Sequence, residues 1–201
     1  MTAAAAPAGE LPLFPLSTVL FPGGRLDLRI FEPRYLDMVR ECARTGTGFG
    51  VCLIVRGVES GAPAVPAAVG TLARIEDFST LPDGLLGIVA RGGGRFRTLR
   101  TRVRDSGLVV GEVEPLAVDP GLPVPAESGV LAPILRRLAE QVGGDLGAAD
   151  DARFDDAAWV AWRLAELLPL EPGERQLLLQ VDDPAERLRR LAEWLPRFQR
   201  H

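Results

Sequence analysis

In RIFEPRYLDMV, residues 29–39, a carboxylate, a guanidinium and a phenol fall within four positions as Glu32, Arg34 and Tyr35. Charge-assisted hydrogen bonds from such groups could read a peptide backbone, or Glu32 could accept from helix amides or pair with an arginine to fix a strand-to-helix corner. A Glu–Arg pair alone is no catalytic device. Phe14, Phe21 and Phe31 stand near these residues in the chain. With Arg34 and Tyr35 they are the candidate peptide-binding set. The alternative is that the rings fill a barrel mouth and pin a helix, since buried aromatics supply much of a core's apolar area.

The second chemistry-bearing cluster is Arg91, Arg95, Arg97, Arg100, Arg102 and Arg104, with no acid among residues 91–104. On one strand face, Arg100, Arg102 and Arg104 would form a ladder roughly 13 Å long at about 3.3 Å per residue, enough to follow a few phosphates. Arg95, Arg97, Arg100, Arg102 and Arg104 are therefore the candidate RNA-binding set. RFRTLRTRVR offers only Phe96 for base stacking, so a solvated strand face is the competing reading.

Other reactions are excluded by what is missing. All 23 Lys+Arg residues are arginine, and the single histidine is His201. Without lysine there is no Walker A loop, Ser-Lys dyad or Schiff base. With one terminal histidine, neither a Ser-His-Asp triad, nor a Cys-His pair, nor a multi-histidine metal site can be built. Cys42 and Cys52 are the two thiols; they read as reduced, buried and small, as in a cytosolic chain. Glu76-Asp77, Asp150-Asp151, Asp155-Asp156 and Asp182-Asp183 are paired acids, read mostly as helix caps rather than a metal site. No catalytic residue, metal or cofactor is expected. The net charge of −4 gives no global attraction to nucleic acid. MTAAAAPAGE followed by Pro12, Pro15 and Pro22 is neither a signal peptide nor a membrane span.

The elements that must position these residues follow from apolar spacing. Residues 1–10 read as a disordered leader, 11–118 as a β-rich unit, 119–128 as a proline-rich linker and 129–201 as a helical unit. LDLRI at 26–30 alternates, FGVCLIVRG at 49–57 is apolar on both faces, and TLARIEDF at 71–78 runs into the turn LPDG at 81–84. LLGIVARGGGRFRTL at 85–99 reads as strand, glycine turn, strand, and LVVGEVEPLAV at 108–118 closes a series of six or seven strands. One helix, 33–44, interrupts them: Pro33 suits its first position, Leu36, Val39 and Ala43 form a stripe beside Tyr35 and Cys42, and Gly46 can cap it.

In the helical unit, Leu131, Ile134, Leu135, Leu138 and Val142 share one side of a helix, in which Pro133 must fall in the first turn or produce a kink. Residues 155–169 are apolar nearly all round, 171–181 make a shorter helix, and Asp183, Pro184 and Glu186 are spaced as a capping box before Leu188, Leu191, Ala192 and Leu195. The fold class is α+β: a small barrel or strongly bent sheet with one inserted helix, then a helical bundle.

Taken together, LPLFPLSTVLFPGGRLDLRIFEPRYLDMV, VGTLARIEDFSTLPDGLLGIVARGGGRFR and LPLEPGERQLLLQVDDPAERLRRL resemble the N-terminal substrate-binding domain of the Lon ATP-dependent protease family, over residues 11–198. The resemblance implies a PUA-like twisted barrel followed by a helical bundle, and contact with unfolded or partly folded polypeptide. The chain departs from a full Lon protease in lacking the ATPase and protease modules, so a free-standing, non-enzymatic, cytoplasmic binding protein is expected. Its rivals are an RNA-binding barrel using Arg91–Arg104 and an adaptor docking on a protein partner. No residue pattern specifies an oligomeric state.

Overall fold

The computed structural model describes residues 6–198, and the chain divides into two compact units at Val118/Asp119. The first contains β1 (Gly9–Leu16), β2 (Arg25–Ile30), α1 (Pro33–Thr45), β3 (Phe49–Arg56), β4 (Val65–Pro66), β5 (Val69–Thr80), β6 (Leu86–Val103) and β7 (Val109–Pro115). Residues 1–5 of the expected leader lie outside the described residues, and β1 begins within the remainder of it. The strands run β1-β7-β6-β5-β3, and a parallel pairing of β1 with β3 closes the ring. Closure removes two edges that would otherwise be open to aggregation.

Phe96, fully buried, plugs this ring. A Cβ on Gly50 would lie 2.5 Å from its Cζ and one on Gly70 2.7 Å, so both glycines are the cradle the ring requires. Leu11, Leu13, Leu72 and Val113 pack around it. A second, larger cluster forms where α1 covers the sheet with Tyr35, Met38, Val39 and Cys42. Ala43, placed in the apolar stripe by spacing, is exposed, and Met38 takes its place. The helix starts at Pro33 and ends at Gly46 in the left-handed region (φ 68°), as its sequence indicated.

The glycine run at 92–94 is not a turn. β6 continues through it for 18 residues, and none of the three glycines has a positive φ. What Gly92 provides is space: a Cβ there would stand 2.1 Å from the Phe21 carbonyl oxygen. Gly23 N–H donates to the Gly92 carbonyl (2.7 Å) and Gly92 N–H to that of Gly24 (2.8 Å). This contact fixes the start of β2, which then pairs in unbroken register with the first part of β6, from Arg25 opposite Arg91 to Ile30 opposite Leu86. β7 takes over the same edge of β6 from Phe96 onward.

The second unit contains α2 (Leu131–Val142), α3 (Gly144–Gly147), α4 (Ala157–Leu167), α5 (Pro172–Gln180) and α6 (Pro184–Trp194), with short 3-10 turns between. Pro133 falls in the first turn of α2, whose buried line is Leu131, Leu135 and Ala139, while Val142 is exposed. α4 is buried almost all round. Asp183 caps α6 by accepting from Ala185 N–H at 3.0 Å, but its expected partner Glu186 turns to Arg189 and Arg190 instead. The reciprocal capping box forms at α5, between Glu171 and Glu174. Arg187, fully buried, stacks over Trp162 at 3.7 Å and pairs with Asp119.

Candidate functional site

The helix entry that carries Glu32, Arg34 and Tyr35 is a latch. Arg34 Nη2 pairs with Glu32 Oε2 at 2.9 Å, Nη1 donates to the Gly107 carbonyl at 3.1 Å, and the guanidinium lies 4.7 Å from the Tyr35 ring centroid. Glu32 makes no side-chain cap bond to the helix. One arginine thus ties the first turn of α1 to the turn between β6 and β7, and at 6% exposure it is not presented to a ligand.

Tyr35 stacks on Phe14 with ring centroids 3.9 Å apart and an interplanar angle of 20°. Burial pushes the Tyr35 hydroxyl above its ordinary pKa, against the opposing pull of the Arg34 charge. Phe14, Phe21 and Tyr35 are all core residues, at 6% exposure or less. These three rings therefore pack inside the unit rather than standing at its surface. Phe31 alone of the five is presented, at 54% exposure.

The arginine run is likewise rearranged by the sheet. Arg95 is buried, and its Nη2 donates to the Ala117 carbonyl at 3.4 Å. It is removed from any ladder. Arg97 faces Glu114 (3.8 Å), Arg100 pairs with Glu112 (2.6 Å) and Arg102 with Glu10 (2.8 Å). The missing acids are supplied by neighbouring strands, because β7 and β1 place glutamates beside them. Arg104 is exposed and has no ion pair among the described residues. A shallow depression of about 340 Å³, lined by Glu10, Arg100, Arg102, Val110 and Glu112, lies over these rungs.

A different surface joins apolar residues that belong to neither candidate binding set. In β2, β6 and β5 the register sets Leu28 beside Ile88 and Ile88 beside Phe78. Opposed residues in antiparallel strands share a face. Ile88 is buried, Leu28 half-buried and Phe78 48% exposed, so this row runs from core to solvent. Leu26, Leu36, Ile75 and Leu86 are half-buried against the same cluster. The alternation of LDLRI located one edge of this face, but only the pairing of three strands could extend it to Phe78.

Cys42 and Cys52 are free and buried. Burial holds the Cys42 thiol above its ordinary pKa and pushes that of Cys52 up to about 12, so neither is a ready nucleophile. Among the described residues no group of three or more His, Cys, Asp or Glu is placed to hold a metal ion. No helix there is long and apolar enough to cross a membrane.

Comparison with known proteins matches residues 10–197 to a family described as the ATP-dependent protease La (LON) substrate-binding domain. A crystal structure of a Lon N-terminal domain protein from Xanthomonas campestris is 51% identical, with a TM-score of 0.78 over 92% of this chain and 98% of that one. The N-terminal domain of the Mycobacterium avium complex Lon protease has a TM-score of 0.66 at 18% identity, covering 92% and 97% of the two chains, a likeness of fold alone. Lon protease from Roseiflexus castenholzii is 28% identical over 198 residues, and Lon protease 2 from Herpetosiphon aurantiacus 30% over 192. The chain covers 93% and 91% of itself in these matches but only 24% and 23% of the relatives, so it spans about a quarter of their length. With the closed barrel, the inserted helix and the match over residues 10–197 in agreement, the chain belongs to the LON substrate-binding domain family.

Proposed function

We propose that the unit ending at Val118 binds unfolded or partly folded polypeptide without catalysing a reaction on it. The observation that carries this reading is the half-exposed apolar face of Leu26, Leu28, Leu36, Ile75 and Leu86, continuing to exposed Phe78. A face of this kind can take up the apolar side chains of an unfolded chain, each contributing through the area it removes from water. Membership in a family of substrate-binding domains supports the same conclusion. Phe31 follows Ile30 of β2 in the chain and is the one member of the aromatic set that remains accessible. A cytoplasmic location fits the two free thiols.

Fluorescence anisotropy of a labelled, permanently unfolded protein tests the proposal. Saturable binding below the millimolar range is expected, weakened at least about tenfold, or 1.4 kcal/mol, by Phe78→Asp, a change at an exposed position. Absence of saturable binding, or no effect of Phe78→Asp, overturns it. The RNA reading draws less support, because Arg97, Arg100 and Arg102 already face carboxylates. It requires oligonucleotide binding that falls steeply with salt and is lost on Arg100→Ala, Arg102→Ala and Arg104→Ala together.

A further inference from the structure

Beside the apolar face runs an open strand edge. β2 pairs with β6 on one side, and the alternation of an antiparallel ladder decides which of its backbone groups turn away. Because Gly92 N–H donates to the Gly24 carbonyl, Leu26, Leu28 and Ile30 direct their N–H and C=O groups toward β6. Asp27 and Arg29 direct theirs outward. No other backbone group among the described residues meets those outward groups, and the side chains of Asp27 and Arg29 are 66% and 59% exposed.

The unit has other open edges, but each is blunted. β4 has two residues. The far end of β5 carries a register shift between Ile75 and Asp77, and Asp77 Oδ1 already accepts the Phe78 N–H at 2.8 Å. The far end of β6 carries a shift between Thr98 and Arg100 and the charged rungs to Glu112 and Glu10. Bulges and charges of this sort discourage strand pairing. β2 has neither a bulge nor a proline over its six residues. Its own charges are neutralised locally, Asp27 by Arg25 at 3.0 Å and Arg29 by Asp83 at 2.6 Å. Across the surrounding residues 25–44 and 74–91, seven arginines stand against seven acids, so the rim favours an occupant recognised by its backbone and apolar side chains rather than by charge.

We infer that an extended segment of the bound polypeptide adds to the sheet as a strand along the outer edge of β2, hydrogen-bonding to Asp27 and Arg29 while its alternate apolar side chains extend the row of Leu26, Leu28 and Ile30. This mode rests on the polypeptide-binding reading and assigns it a substrate class: unstructured chain with apolar residues at every second position, in the manner of β-strand addition. A folded helix, however apolar, has no free backbone to offer.

The test uses the whole chain and a fluorescein-labelled nonapeptide of alternating valine and threonine, compared with the same peptide N-methylated at every second residue on the edge-facing register. Strand addition predicts at least a tenfold loss of affinity on methylation. It also predicts that hydrogen exchange at the Asp27 and Arg29 amides slows at least tenfold on saturation with the unmethylated peptide. Asp27→Pro removes one outward donor while leaving the bonds of Leu26 and Leu28 to β6, and should weaken binding at least tenfold. If that variant fails to fold, the methylated peptide and the exchange rates still decide. Equal affinity for both peptides, still weakened by Phe78→Asp, overturns strand addition and leaves polypeptide binding standing. Failure of every peptide and of unfolded protein to bind overturns both. Slowed exchange at Asp27 and Arg29 that rises with protein concentration alone, together with a dimer in sedimentation, assigns the edge to a second copy and overturns the proposal.

Discussion

Replacing Gly92 with alanine tests the physical account of how β2 is held. The added Cβ would sit 2.1 Å from the Phe21 carbonyl oxygen and 3.3 Å from Leu20 Cγ, and since the first neighbour is backbone it cannot rotate away. Separation to an ordinary contact requires Phe21 to move by about 1 Å or more, which strains the two hydrogen bonds joining Gly92 to Gly23 and Gly24. Two backbone hydrogen bonds at about 1 kcal/mol each and overpacking of about 1–3 kcal/mol give an expected loss of about 3–5 kcal/mol. That is a large share of the ~5–15 kcal/mol typical of a folded domain. Native-state hydrogen exchange of the β6 amides, read alongside urea unfolding followed by circular dichroism, measures it within the affected unit. Gly173→Ala is the control: nothing lies within 4 Å of a Cβ there, so the change should stay within about 1 kcal/mol and be favourable if anything. A Gly92→Ala protein with exchange and unfolding within about 0.5 kcal/mol of the parent would refute the close-approach argument.

Two further measurements concern the helical unit, where all three tryptophans, Trp159, Trp162 and Trp194, report unfolding. Arg187→Met should cost about 3–5 kcal/mol, because Asp119 would be left without its buried cation; adding Asp119→Leu should restore part of the loss, and a single variant within about 1 kcal/mol of the parent in urea would contradict this. Hydrogen bonds from Arg189 and Arg190 pull the Glu186 carboxyl down to about 2 from its usual 4.5. A depressed pKa stabilises the fold above pH 4.5, and that contribution is lost as pH falls toward 2. Melting temperatures between pH 5 and 2 should therefore decline less steeply in Glu186→Gln than in the parent, and identical slopes would remove Glu186 from the acid response.

How much of this was legible in the chain differs by element. The inserted helix could be read from Pro33 and Gly46, β2 from the alternation of LDLRI, and the cap of α6 from Asp183 and Pro184, because each signal acts within a few residues of itself. The lack of lysine is likewise readable without folding, and it removes the amine on which a Walker A loop or a Schiff base depends. A glycine run has two uses, turning the chain and admitting a neighbour, and only the position of Phe21 shows that Gly92 serves the second. Arg95 and Arg97 stand two positions apart on the same strand, yet one is buried and reaches the Ala117 carbonyl while the other is exposed beside Glu114, a difference their spacing does not encode.

The candidate site itself lay mostly beyond the sequence. Phe14, Phe21 and Tyr35 advertise themselves by type, but their partners come from strands and a helix distant in the chain, and packing against those partners takes the rings inside. Phe78, Leu28 and the outward backbone of Asp27 lie in strands legible from the sequence, but they become a surface only when β2 and β5 flank β6. Local chemistry and periodicity determined which elements form. Which side chains remain accessible, which arginines are neutralised and which strand edge stays open were decided by tertiary pairing, because exposure and hydrogen-bond satisfaction depend on neighbours that sequence distance does not encode.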